Sequence, residues 1–158
     1  MLFGIEHSRF WRVAAAALVL STLVAPSMLR GREEPSVEEL KGRVANAGIA
    51  DRPSLCIHIS ELRLGDADRL YVAGDSEKAQ AALADVVAYS ELARDYAIQS
   101  HKHEKQSEIA IRKMTRKLTD IKHTASHDEQ EQIQSTIDRL ERVRDDLLAA
   151  MFPKGGKK

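Results

Sequence analysis

From Ile111 to Met151 the apolar residues of this chain recur at spacings of three and four: Ile111, Met114, Leu118, Ile121 and Ala125, then Ile133, Ile137, Leu140, Val143, Leu147 and Met151. That period lines one face of an α-helix; residues sharing a face of a strand would stand two apart. Between the two seams Ser126 and Glu129 stand three apart, the spacing of a capping box. In that motif the hydroxyl takes an amide of the first turn and the carboxylate reaches back to the cap amide. The pattern predicts a helix clear from about residue 108, a turn over 124–128, and a second helix that Pro153 stops, together an αα-hairpin.

Upstream the same signals repeat. Ser36 with Glu39 predicts a capped short helix over about 37–47, with Val37, Leu40 and Val44 on one face and Gly48 behind it. Asp51 or Ser54, around Pro53, starts a helix that runs to about residue 73. Its stripe is read as Leu55, Ile59, Leu62, Leu70 and Ala73, interrupted by Asp66 and weakened by Gly65. Gly74 suits a left-handed helix end and Asp75 the next cap, so a tight turn leads into a helix over 76–100. That helix carries Ala79, Leu83, Val86, Tyr89, Ser90, Ala93 and Ala97 along one stripe, and the many small residues predict close packing on the preceding helix. The polar stretch 101–106 reads equally as a loop or as a continuation into the next helix. No alternating strand pattern and no Asn-Gly or Asp-Gly turn interrupts this. The expected fold is all-α: an antiparallel helical bundle of two αα-hairpins plus a short N-terminal helix, with a short stack of helix pairs suiting the pattern equally.

The N-terminus reads as a leader. Arg9 and Arg12 flank the uncharged run 13–25 (VAAAALVLSTLVA), and Ala25-Pro26-Ser27 puts small residues at the −3 and −1 positions of a cleavage site after Ser27. Retention as an anchor is the alternative, since the apolar stretch extends to roughly the 17-residue lower limit for crossing a bilayer. The expected organisation is a signal peptide over 1–27, a spacer over 28–35, one helical domain over 36–152, and a basic tail over 153–158. Removing Arg9, Arg12 and Glu6 leaves the charges balanced to within one, as in the full chain with 24 basic and 24 acidic residues. A balanced, interspersed charge argues against nucleic acid, which demands a one-sided basic face, and against stable membrane insertion once the leader is removed. One cysteine, Cys56, makes no internal disulfide, so a domain of ~130 residues must be held by helix packing alone.

The segment Leu70-Tyr71-Val72-Ala73-Gly74-Asp75-Ser76-Glu77-Lys78-Ala79, followed by Leu83, resembles the middle of a tetratricopeptide repeat. No second copy stands at a 34-residue period. The resemblance, over about residues 55–97, therefore implies one repeat-like hairpin within a bundle. Residues 74–83 (GDSEKAQAAL), 108–118 (EIAIRKMTRKL) and 139–152 (RLERVRDDLLAAMF) are similar to an uncharacterised bacterial family of small exported helical proteins. That likeness implies export and helicity and carries no catalytic residues.

His123 and His127 stand four apart, as metal ligands on one helix would, but Ser126 caps a new helix between them. His101 and His103 lie in a polar stretch, and His58 in an apolar turn, where a half-buried, hydrogen-bonded side chain is expected; no metal and no cofactor are assigned to any of them. Cys56 is read as a buried, unreactive thiol. The pairs Asp145-Asp146, Glu38-Glu39 and Asp66/Asp68 read as solvated helix faces, and no hydrolase, metalloprotease or phosphate-loop motif is present. Arg112, Lys113, Arg116 and Lys117 with Lys102 and Lys105 make one arm of the second hairpin basic, while Asp128, Glu129, Glu131, Asp138, Glu141, Asp145 and Asp146 make the other acidic. This predicts pairing across the hairpin or, if left free, an electrostatic docking surface. The expected function is a non-enzymatic, exported module, periplasmic or secreted, that binds a protein partner in the cell envelope. Tyr71, Tyr89, Tyr96, Arg112 and Arg116 are its candidate contact residues. A holdase-like or stress-sensing bundle and a metal- or haem-handling protein using His101, His103, His123 and His127 are the alternatives.

Overall fold

A computed structural model describes residues 34–153. The expected leader over 1–27, the spacer up to residue 33 and the tail beyond residue 153 lie outside the described residues. Five helices follow one another: α1 (Val37–Asn46), α2 (Arg52–Val72), α3 (Ser76–Ser100), α4 (Glu104–Thr124) and α5 (His127–Met151), with no strand among the described residues.

The helix ends follow from local chemistry. Ser36 Oγ accepts the Glu39 amide at 3.2 Å and starts α1. Gly74, at φ 77°, ends α2: its N–H donates to Tyr71 O at 3.0 Å and the Asp75 N–H to Leu70 O at 2.9 Å, closing the last turn on a left-handed residue. Asp75 then caps α3 through the Lys78 amide. At the start of α5 the Glu129 carboxylate takes both the N–H and the hydroxyl of Ser126, at 2.8 and 2.7 Å.

Helices α3 and α4 are separate. His101 (φ 54°) and His103 (φ 63°) both adopt left-handed backbone, and the Lys102 N–H closes back on Ala97 O at 3.3 Å. Helix α4 then begins at Glu104, four residues before the start read from the apolar seam, with the Ser107 N–H donating to His103 O at 2.8 Å. No glycine, proline or side-chain cap announces this break, because the link is made by two histidines in a conformation that usually selects glycine.

Register follows from paired side chains. Ser60 meets Ser90 and Arg63 meets Asp85, so α2 and α3 are antiparallel. Glu108 meets Arg144 and Lys122 meets Gln134, so α4 and α5 are antiparallel as well. Between the hairpins the order is the same on both helices: Ser76 with Glu129, Glu91 with Arg139, Arg94 with Asp146. The hairpins therefore lie side by side in the same sense, α3 parallel to α5, while α2 packs on α4 and α1 packs on α2. The shared core joins Leu64, Val86, Ile111, Leu118, Ile137 and Leu140, drawn from all four long helices.

The small residues of α3 act as expected: Ala79, Ala82, Ser90, Ala93 and Ala97 are buried. They let α2 approach until Ser60 Oγ donates to Val86 O at 3.2 Å. The stripe read for α2 needs correction. Cys56, Ile59, Ser60, Leu64 and Ala67 are buried, Leu55 and Leu62 only half so, and Ala73 is exposed. Helix α2 has three neighbours, α1, α3 and α4, so it buries a broad arc rather than one stripe. Asp66 joins an ion cluster with Arg63 and Arg69 instead of interrupting the packing.

Candidate functional site

The three tyrosines do not form one patch. Tyr71, in the last turn of α2, is half-buried against the core and its hydroxyl is enclosed without a hydrogen-bond partner among the described residues. Burial, with the Glu129 carboxylate nearby, pushes its phenol above the ordinary range. Tyr96 lies at the other end of the hairpin, about 30 Å away along α3 at 1.5 Å per residue. The Arg52 guanidinium covers its ring at 5.2 Å from the centroid, a cation–π contact. Tyr89 is half-buried one heptad before Tyr96 on the same stripe of α3.

Arg112 and Arg116 share the exposed face of α4 with Lys105 and Lys113. Arg112 Nε stands 3.7 Å from Glu108 Oε1, and Arg116 has no ion-pair partner among the described residues. The expected pairing of basic α4 with acidic α5 does not form. Lys117 reaches Asp68 of α2 at 3.0 Å, and Asp146 of α5 is met by Arg94 of α3 at 2.9 Å. Besides the bond of Lys122 to the neutral Gln134, an ion pair of reversed polarity joins α4 to α5: Arg144 of α5 donates to the buried Glu108 of α4 at 2.9 Å. Helices adjacent in sequence present only one edge to each other, so the outer charges of each arm look away from the other.

Glu108 and Ser107 are buried polar residues that the sequence reading missed. The signal was present, since Glu108 stands three before Ile111 and Ser107 four before it, in phase with the seam.

A shallow cleft of about 380 Å³ lies between α3 and α5, lined by Glu91, Arg94, Arg139, Arg142, Asp145 and Asp146. Four of its six charges pair off, Arg139 holding Glu91 at 2.8 Å and Arg94 reaching Asp146 as well as Asp95. Such a surface brings no unpaired carboxylates together for acid–base work.

His101 and His103 sit in the α3–α4 link, and His123 and His127 flank the α4–α5 turn, about 30 Å away along α4. Among the described residues no group of three or more His, Cys, Asp or Glu converges as metal ligands would. His58 is half-buried, with Nε2 3.9 Å from Glu34 Oε1, beyond the expected hydrogen bond. Cys56 is fully buried, and burial pushes its thiol up to about 11. The carboxylates read as solvated are in part tied by ion pairs, Glu38 to Lys41 and Asp68 to Lys117. Exposed large apolar residues, Ile49, Val72, Leu92 and Phe152, stand on four different segments. Among the described residues no helix is long and apolar enough to cross a membrane. Compared with protein-family models, curated proteins and solved structures, the chain matches none.

Proposed function

We propose that this chain is an exported, non-enzymatic helical module that binds a protein partner in the bacterial cell envelope through the outer face of α4. The observation that carries the reading is the run of exposed cations Lys105, Arg112, Lys113 and Arg116 on a rigid helix, none of them neutralised by the acidic residues of neighbouring α5. Cations fixed on a well-packed helix make a docking face that steers an acidic partner at low entropic cost. The tyrosines contribute as half-buried supports of the first hairpin, with Tyr89 and Tyr96 the pair that shares a stripe. Export rests on the leader-like residues 1–27.

The test is in-vivo cross-linking of the tagged full chain in its own host, with the mature N-terminus read from the same sample. One dominant envelope protein, lost with Arg112→Glu and Arg116→Glu but retained with a charge reversal at Glu77 on α3, is the expected result. A spread of unrelated unfolded chains, insensitive to those substitutions, would replace this reading with that of a holdase.

A further inference from the structure

The two arms of the second hairpin carry opposite charges that do not pair with each other: among the described residues Arg112 stands 3.7 Å from Glu108 of its own helix, Lys117 reaches Asp68 of α2, and Asp146 is met by Arg94 of α3. On α4, Lys105, Arg112 and Arg116 are spaced by seven and four; on α5, Glu131, Asp138 and Asp145 are spaced by seven and seven. Those intervals hold each set on one stripe of its helix, and all six residues are exposed. The stripes run about 16 Å and about 21 Å at 1.5 Å per residue, so they are comparable in length. No ion pair joins a base of α4 to an acid of α5 among the described residues. Of the arginines of α5, Arg139 is committed to Glu91 and Arg144 to Glu108. Arg142, four residues after Asp138 on the same stripe, donates its Nε to the Asp138 backbone carbonyl at 3.3 Å and keeps its charge, so the stripe carries three carboxylates and one guanidinium and stays net acidic.

We propose that the acidic stripe of α5 in a second copy of this chain is an occupant of the basic stripe of α4. The contact is heterologous, because the two surfaces differ, so each copy keeps one free stripe and assembly extends into a ring or a chain. Charge complementarity is what selects a second copy: it presents an acidic, helical, heptad-spaced face of matching length in every molecule. This identification rests on α4 being the docking face, and deepens that reading by naming one partner.

The experiment is sedimentation velocity of the full-length chain purified from its host, at ~10 mM and ~1 M ionic strength, where the screening length falls from about 30 Å to about 3 Å. The wild-type chain is expected to sediment as species larger than a monomer at low salt and as a monomer at high salt. Arg112→Glu/Arg116→Glu and Asp138→Lys/Asp145→Lys, each alone, are expected to stay monomeric at low salt, with unchanged helical circular dichroism. Mixed in equal amounts, the two variants regain complementary stripes and are expected to associate again. A wild-type chain that is monomeric at low salt overturns the self-contact, including the case in which it instead floats with phosphatidylglycerol vesicles. Association that both variants retain overturns it as well. If the self-contact fails while Arg112→Glu/Arg116→Glu still abolishes cross-linking to a different envelope protein, the docking face stands and only the identity of its partner is wrong.

Discussion

Gly74 shows how much one backbone angle decides. Its φ of 77° is left-handed, and a Cβ placed there would meet nothing within 4 Å, so a side chain is opposed by conformation alone and not by crowding. Gly74→Ala is expected to lower stability by about 1 kcal/mol. Gly65, within α2, also has open space around its missing Cβ but ordinary helical backbone. Gly65→Ala is expected to raise stability by about 1 kcal/mol. Urea unfolding followed by circular dichroism tests the pair, and equal effects of the same sign would refute the account. Gly74 was legible in the sequence because glycine before an aspartate cap has few other uses. His101 and His103 were not, since nothing in a histidine's chemistry signals a left-handed backbone.

At the scale of elements, one carboxylate ties together the starts of α3 and α5. Glu129 accepts from the Ser76 hydroxyl at the first residue of α3 while capping its own helix through Ser126. The Ser76 hydroxyl, then the hydroxyl and amide of Ser126, hold the Glu129 carboxyl below its ordinary value of 4.5. A carboxyl whose folded pKa lies below its unfolded one contributes stability that is complete above the unfolded value and disappears as pH falls through the folded one. Glu129→Gln is therefore expected to lower the urea midpoint at neutral pH, and to lose less than wild type does as pH drops below about 4.5. Parallel acid limbs for the two proteins would show that the joint is not charge-dependent. Ser126 and Glu129 were readable as a cap, but Ser76 as their distant third member was not, because the sequence carries no record of which helix ends meet. The same ignorance misplaced the face of α2. A spacing rule finds the stripe that meets one neighbour, whereas α2 meets three.

For the whole molecule, the sequence read correctly that two hairpins form and left open how they stack. Intrahairpin pairing is set by short turns; the parallel setting of α3 on α5 is set by contacts some fifty residues apart, such as Ser76 with Glu129. Because the core draws on all four long helices, neither hairpin buries its apolar face alone, and the domain is expected to unfold in one step. All three tyrosines belong to the first hairpin, whereas circular dichroism at 222 nm reports both. Coincident urea transitions by tyrosine fluorescence and by dichroism are the expected result; an earlier dichroism loss would mean that the second hairpin melts separately. Cys56 draws a chronological consequence from this cooperativity. Its sulfur has no access to solvent and keeps its proton, so oxidants reach it only during the rare excursions in which α2 leaves its neighbours. In an oxidising compartment the reduced lifetime of each molecule would then be set by how often it opens, and its thiol would record the molecule's age as a folded object.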